Sequence, residues 1–329
     1  MYDVITVGSS TIDVFAKTKF SELIKIFDSK GETDFLAYPT GSKILIEELE
    51  FTTGGGATNT AVALARLGLK VACITKGGSG ANMAKVIRHL KRENVDPSLI
   101  VCSKEGRTGY SIILDSLEHD RTILAFKGSN NHLKFSEIGP NKLKTKWFYF
   151  STLLGESFKT LEKLAKFAEK KGIKTAFNTS EYLAKKGPNF LKNILKRTEI
   201  FILNKDEAYL ITKEKNIKEI LKKLLKLGPK IVVVTDGKNP VYVSNNKIVY
   251  SASPHKIKVV ETTGSGDAFA SSFLAGIIKK GNIDFAVQLA FANAESVIQY
   301  HGAKNKLLKY NEALNIIKKN PVKILKESL

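Results

Sequence analysis

Residues 261–267 read Glu-Thr-Thr-Gly-Ser-Gly-Asp and run directly into residues 268–277, Ala-Phe-Ala-Ser-Ser-Phe-Leu-Ala-Gly-Ile. Phe269, Phe273 and Ile277 recur at helical spacing, so the sequence predicts a helix over this second segment. A loop of small residues therefore ends in a carboxylate at the point where a helix begins.

Such a junction is suited to binding a phosphate. The first N–H groups of a helix have no partner within the helix and lie at the positive end of its dipole, and Gly264 and Gly266 let a ligand approach the backbone closely. Asp267 would oppose anion binding but could take a proton from an attacking hydroxyl. Alternation over residues 256–261 predicts a strand before the loop. An ordinary strand–loop–helix turn with Asp267 as the N-cap fits the segment equally well.

A second glycine-rich segment precedes another predicted helix. Residues 53–68 read Thr-Gly-Gly-Gly-Ala-Thr-Asn-Thr-Ala-Val-Ala-Leu-Ala-Arg-Leu-Gly, which places Asn59 in the first turn and Gly68 at the end of the helix. The chain opens with a predicted strand at residues 4–7, and Asp13 follows shortly after it. On its own, the glycine segment predicts only a flexible turn.

Together, these segments resemble the ribokinase-like, or PfkB, family of carbohydrate and nucleoside kinases over essentially the whole chain. The resemblance implies an α/β fold with a doubly wound, mostly parallel sheet in a three-layer sandwich and a small β-sheet lid. It also implies ATP- and Mg²⁺-dependent phosphorylation of a hydroxyl on a sugar or sugar-like molecule. A nucleoside kinase is one alternative. A non-catalytic sugar- or nucleotide-binding regulator is another, although a pure binder would not need Asp267.

The resemblance also assigns roles to individual residues. Asp267 is implied as the general base, and the N–H groups of Gly264, Ser265 and Gly266 as the anion hole for the γ-phosphate. The residues implied to contact the sugar are Asp13, Gly55, Gly56, Asn59 and, as a weaker candidate, Thr11. Those implied to contact the nucleotide are Asn178, Thr235, Gly237, Asn293 and Gly302.

The implied metal site uses Asn204 and Glu207, which fit the family's Asn-x-x-Glu element for hydrated Mg²⁺. From the residues alone, a helix-capping Asn with a solvated Glu is the simpler interpretation. The family usually has Asp at the position of Glu261, beside a monovalent-cation site. The longer side chain leaves open whether such a cation binds here.

Length and composition agree with these expectations. The chain has 329 residues, 43% of them hydrophobic, and no linker or internal repeat divides it, so we expect one domain over residues 1–329. It lacks an N-terminal signal pattern and a long apolar run, which predicts a cytoplasmic protein without a membrane partner. Cys73 and Cys102 lack metal-ligand spacing and fall in predicted strands, so we expect both in the core.

The formal net charge of +20 raises the question of nucleic-acid binding. Only six of the 52 basic residues are Arg, and the lysines are spread over predicted helix faces such as 159–171, 213–226 and 303–324. This pattern favours a lysine-rich surface. We expect a small-molecule substrate and no nucleic-acid partner.

Between residues 69 and 235, predicted strands and helices alternate as in a parallel sheet covered on both faces. Segments 14–51 and 109–127 break the alternation and predict extra strands, which the resemblance identifies as the lid. Exposed edges of such a lid suggest a homodimer. A P-loop NTPase, a zinc enzyme and a Rossmann dehydrogenase are disfavoured, because the chain lacks their motifs.

Overall fold

A computed structural model describes residues 1–28, 31–115, 121–300 and 302–329 of the chain. The strands are β1 Tyr2–Val7, β2 Thr11–Lys17, β3 Glu22–Asp28, β4 Gly31–Ala37, β5 Glu48–Gly54, β6 Val71–Ile74, β7 Lys76–Gly78, β8 Val95–Asp96, β9 Val101–Ser103, β10 Gly109–Asp115, β11 Arg121–Phe126, β12 Thr145–Phe150, β13 Lys174–Asn178, β14 Ile200–Asn204, β15 Ile231–Thr235, β16 Val241–Ser244, β17 Ile248–Ala252 and β18 Ile324–Ser328. The α-helices are α1 Gly56–Arg66, α2 Ala81–Arg92, α3 Gly155–Lys171, α4 Glu181–Ala184, α5 Gly187–Leu195, α6 Lys205–Thr212, α7 Ile217–Lys226, α8 Ser265–Lys280, α9 Ile283–Val297 and α10 Tyr310–Lys319.

The main sheet has the strand order β18-β17-β16-β15-β14-β13-β12-β1-β6-β8. From β15 to β8 every neighbouring pair is parallel, whereas β16, β17 and β18 add antiparallel strands at one edge. The chain proceeds outward from β1 in both directions, which is the doubly wound arrangement. In such sheets ligands bind beyond the carboxyl ends of the parallel strands.

Alternate residues of the central strands pack on opposite faces of the sheet. In β1, Val4 belongs to a core with residues of α1, α8 and α9, whereas Ile5 belongs to a second core with residues of α3, α5 and α7. Both side chains are fully buried. This helix–sheet–helix layering confirms the predicted three-layer α/β fold.

A second sheet, which we call the lid sheet, has the order β11-β10-β2-β5. Strands β3 and β4 form a separate hairpin over residues 22–37. The extra strands predicted for segments 14–51 and 109–127 are therefore confirmed, and β2 begins slightly earlier, at Thr11. Residues 29–30 and 116–120 of these segments lie outside the described residues.

Two expectations from the sequence are wrong. Residues 256–261 form no strand, because the neighbouring strand β17 already pairs with β16 and β18 and offers no free edge to this segment. Cys73 is buried, but Cys102 is exposed on the short strand β9 and is not a core residue.

Of the helices that the structure describes, none has the length and apolar character needed to cross a bilayer.

Candidate active site

The loop at the start of α8 has the expected glycine geometry. Gly264 caps the helix with φ of 77°, a left-handed conformation that favours glycine. A Cβ at this position would lie 2.5 Å from the Cβ of Ala303, so the loop packs tightly against Ala303. Ser265 donates its N–H to the carbonyl of Thr262. Asp267 is the third residue of the helix, so its interpretation as the N-cap is wrong.

A side-chain hydrogen bond joins the two glycine-rich segments. Asn59 Nδ2 in the first turn of α1 donates to Asp267 Oδ2 in the first turn of α8, at 2.8 Å. Gly55 caps α1 with φ of 97°, and a Cβ there would lie 2.5 Å from the carbonyl oxygen of Ser9. The starts of the two helices therefore meet beside the carboxyl end of β1.

Asp13 lies at the same place, on the lid strand β2. A Cβ on Gly54 would lie 1.7 Å from Asp13 Oδ2 and 2.8 Å from Thr11 Oγ1, which shows how closely these side chains cover the glycine loop, residues 54–56. Asp13 Oδ1 and Asn59 Oδ1 are buried without a hydrogen-bond partner among the described residues. Buried acceptors of this kind are costly unless a donor reaches them, so both suit the hydroxyl groups of a polar ligand.

The carboxyl group of Asp267 has the electrostatics of a base. Burial raises its pKa to about 6, while the hydrogen bond from Asn59 and the charge of Lys304 oppose that rise and Asp13 adds to it. A group with this pKa is mostly ionised at neutral pH yet accepts a proton more readily than a solvated aspartate.

Lys304 was not predicted from the sequence. Its side chain is buried, with 7% of the residue exposed, and Nζ donates to Thr53 O at 2.6 Å, Thr53 Oγ1 at 2.9 Å and Thr58 Oγ1 at 3.1 Å. Burial lowers its pKa to about 8, and Asp13 and Asp267 oppose that change. The whole chain has 46 lysines and Lys304 lies in a lysine-rich segment, so nothing in the sequence distinguishes it. The expectation of a solvated lysine face over 303–324 is wrong at this residue.

Three predicted nucleotide and metal residues end neighbouring parallel strands. Asn178 ends β13, Asn204 ends β14 and Thr235 ends β15, with Asn204 paired to Thr235 in the sheet register. Asn178 Nδ2 donates to Ile202 O at 3.0 Å. Gly237 follows in a turn with φ of 55°. These residues therefore lie at the carboxyl ends of the parallel strands, which is the end of the main sheet where the glycine loop also lies.

The other two predicted nucleotide residues have their polar groups bonded within the chain. Asn293 is fully buried in α9, where Nδ2 donates to Ser272 Oγ at 2.7 Å and Oδ1 accepts from Leu308 N at 2.9 Å. Gly302 donates its N–H to Glu261 Oε2 at 2.8 Å. Contacts of Asn293 and Gly302 with a nucleotide stay predictions, as does a cation beside Glu261.

Asn204 and Glu207 form a capping box at the start of α6. Asn204 Oδ1 accepts from Glu207 N at 2.8 Å, and Glu207 Oε2 accepts from Asn204 N at 2.9 Å. Glu207 is buried, not solvated, and burial raises its pKa to about 7. The described residues contain no cluster of three acidic, His or Cys ligands. A single desolvated carboxylate fits a hydrated Mg²⁺ held mainly by phosphates, because that ion keeps several waters.

A groove of about 540 Å³ lies on a different face of the lid sheet. Its lining includes Tyr110 and Phe126, which pair with each other, and Tyr110 also pairs with Ile12. Because successive side chains of a strand point to opposite faces, Asp13 points away from this groove. The groove is therefore separate from the site built around Asp13 and Asp267.

Comparisons with known proteins agree with this geometry. The pfkB family carbohydrate kinase pattern matches residues 6–309. A ribokinase from Staphylococcus aureus is 25% identical over 309 residues, covering 92% of this chain and 95% of the relative. A 5-dehydro-2-deoxygluconokinase from Clostridium perfringens is 28% identical over 286 residues, covering 81% and 84%.

The fold is shared with a solved Arabidopsis thaliana ribokinase complexed with ribose and ATP, at a TM-score of 0.80 and 18% identity, with 96% of this chain and 99% of that chain covered. Because the family pattern spans nearly the whole sequence, this chain belongs to the pfkB family of carbohydrate kinases, enzymes that transfer a phosphoryl group to a hydroxyl.

Proposed function

We propose that this chain phosphorylates a hydroxyl of a sugar or sugar-like small molecule, with ATP as the donor and Mg²⁺ as the metal. The observation that carries the proposal is the pair of unpartnered buried acceptors, Asp13 Oδ1 and Asn59 Oδ1, beside Asp267. Two acceptors next to a base provide binding for an alcohol and a destination for its proton.

The proposed reaction is a direct in-line transfer. Asp13 and Asn59 accept hydrogen bonds from the substrate and hold its hydroxyl near Asp267, and positioning of this kind supplies much of the catalysis of phosphoryl transfer. As the hydroxyl oxygen of the substrate bonds to the γ-phosphorus, the bond between the γ-phosphorus and the bridging oxygen of the β-phosphate breaks, and ADP leaves. Asp267 takes the hydroxyl proton. This help is worth roughly 10²–10⁴ in rate.

The charge that spreads over the γ-phosphate in this transfer needs stabilisation. The proposed anion hole is the N-terminal turn of α8, residues 264–266, at the positive end of the helix dipole, where the N–H of Ser265 would exchange its bond to Thr262 O for the phosphate. Mg²⁺ would neutralise charge on the phosphates, and Glu207 is the residue that would hold its hydration shell. Asn178 and Thr235 lie along the sheet edge that leads from Glu207 toward the glycine loop.

The substrate class is proposed to be a sugar rather than a nucleoside. The two sequence relatives named above are kinases of a pentose and of a keto-deoxy sugar acid, and both align over most of their length. A nucleoside kinase and a non-catalytic binder are the outcomes that the test must separate from this proposal.

The test is ADP release with Mg-ATP against pentoses, hexoses, sugar acids and nucleosides. The wild type is compared with Asp267→Asn and with Asp284→Asn, which makes the same chemical change in the first turn of α9, where Asp284 pairs with Lys326. We expect turnover of a sugar that Asp267→Asn abolishes and Asp284→Asn leaves unchanged. Turnover of nucleosides alone, or binding without turnover, would overturn the proposal.

We also propose that the chain forms a homodimer through the lid sheet. Phe51 pairs with Val14, Val14 with Ile112, and Ile112 with Leu124, so all four lie on one face. Exposed apolar side chains on this face form what we call the lid stripe: Leu49, Phe51, Ile112, Leu124 and Phe126. A contiguous exposed apolar patch typically marks a protein interface, and a second copy of this chain is the proposed occupant.

A further inference from the structure

Lys304 occupies a position that neither the resemblance nor the proposed reaction assigns. Its Nζ bonds Thr53 at the end of β5 and Thr58 in α1, and these two threonines lie on either side of the glycine loop. Thr58 Oγ1 in turn donates to Gly54 O at 2.7 Å. The lysine therefore holds the backbone on both sides of the glycine loop in place, next to the proposed sugar contacts.

The residue before Lys304 contacts the other half of the site. A Cβ on Gly264 would lie 2.5 to 2.7 Å from three atoms of Ala303, so the anion loop, residues 262–266, rests directly on this residue. Two consecutive residues thus contact the anion loop and the two threonines that flank the glycine loop. The hydrogen bond from Asn59 to Asp267 is a second link, because it joins the two helices that follow these loops.

The charge of Lys304 balances the acidic groups of the cluster. The groups that interact electrostatically with the ammonium are Asp13, Asp267, Cys73, Glu93 and His89. Those that interact with the Asp267 carboxyl are Asp13, Lys304, Asn59 and the hydroxyl of Tyr149. Lys304 therefore interacts with both carboxylates, Asp13 and Asp267, and the low dielectric of a buried site strengthens this effect.

We propose that Lys304 is a positioning residue that holds the glycine loop against the anion loop and keeps Asp267 in its basic, ionised form. The proposal rests on the proposed role of Asp267. Loss of the ammonium removes a favourable interaction with the carboxylate, so Asp267 would bind its proton more tightly. The proton would then occupy the base at pH values where the wild type is active.

The substitution that tests this is Lys304→Met, which keeps most of the length of the side chain and removes the charge. Lys76→Met is the matched control. Lys76 is equally buried, with 8% exposed, but its Nζ bonds Glu137 and His132 O, which are not site residues. A general effect of removing a buried lysine would appear in both variants, whereas the proposed effect appears in one.

The first measurement is the titration of the Asp267 carboxyl by ¹³C NMR with labelled aspartate, assigned by the signal lost in Asp267→Asn. We expect a higher pKa in Lys304→Met than in the wild type or Lys76→Met. The wild type should also show a second inflection near pH 8, where Lys304 loses its proton. An unchanged Asp267 titration overturns the proposal, and absence of that inflection does so even if Lys304→Met does not fold.

The second measurement is kcat/KM against pH for the best acceptor of the panel at saturating Mg-ATP. We expect the acidic limb of Lys304→Met to move upward, with activity at pH 5 about tenfold below the wild type, as a limb one pH unit higher requires. Equal loss at every pH means a structural role only and overturns the proposal. If the wild type phosphorylates no acceptor of the panel but the NMR titration still shows the effect of Lys304 on Asp267, the proposed function fails. The electrostatic interaction between Lys304 and Asp267 then stands.

Discussion

Asn59 and Asp267 are 208 positions apart in the chain, yet Asn59 Nδ2 lies 2.8 Å from Asp267 Oδ2. The contact brings the first turns of α1 and α8 together and leaves Asn59 Oδ1 buried without a hydrogen-bond partner among the described residues, as Asp13 Oδ1 also is. One amide thus holds the carboxylate with its N–H group while its oxygen is available to a ligand.

Asn59→Ala should weaken substrate binding and should also make Asp267 a poorer base at low pH. The hydrogen bond from Asn59 lowers the pKa of Asp267, so its loss should raise that pKa and move the acidic limb of kcat/KM upward. Hydrogen bonds to charged groups are worth about 1.5–3 kcal/mol, which predicts a loss of about 10- to 100-fold in kcat/KM. Asn282→Ala, which removes the N-cap of α9, should lower stability and leave the pH profile unchanged.

Asp267→Asn should stabilise the folded protein while it abolishes activity. Because the folded pKa of about 6 lies above the ordinary value of 3.8, the folded state binds more protons between these values and stability falls as pH rises through that window. Removing the charge should therefore add about 3 kcal/mol at pH 7.5 and only about 0.5 kcal/mol at pH 4. Urea unfolding at the two pH values measures this, and an equal gain at both would contradict it.

Gly55→Ala should destabilise the chain. The residue has φ of 97°, and the added Cβ would meet backbone atoms of Ser9 and Ser10 at 2.5 to 2.7 Å, so strain and a clash act together. We expect a loss of about 2–4 kcal/mol in the free energy of unfolding. Gly80→Ala is the control, because nothing lies within 4 Å of its Cβ and its φ is −88°, and it should cost less than about 1 kcal/mol.

Leu124→Glu should separate the proposed dimer into monomers. Leu124 is 54% exposed within the lid stripe, and a buried carboxylate at the interface would be costly. Leu325→Glu changes a comparably exposed leucine on β18 of the other sheet and should leave the assembly intact. Sedimentation velocity reports the mass, and a monomeric wild type would refute the dimer.

The fold could be predicted from the sequence because the residues that indicate it act on the backbone next to them. Gly55 and Gly264 take left-handed conformations that other residues rarely adopt, and helices begin directly after them. The strand predicted over 256–261 failed because alternation describes one segment, whereas a strand needs a neighbour with a free edge.

The site was predicted in part, for a similar reason. Asp13, Asn59 and Asp267 belong to recognisable segments, and the structure brings them together. The burial of Lys304 depends on Thr53 and Thr58, which are more than 240 positions away, so no local pattern could reveal it. The full burial of Asn293 likewise depends on its partners, Ser272 and Leu308.

Asp13 belongs to β2, which is itself a strand of the lid sheet, while Asp267 belongs to a helix packed on the main sheet. Any displacement of the lid sheet relative to that helix would therefore change the distance between the proposed sugar contact and the proposed base. With Asp13 as the proposed sugar contact, lid position and sugar affinity would be thermodynamically linked. A substitution that favours an open lid should then weaken sugar binding, and the sugar should favour the closed form by the same factor.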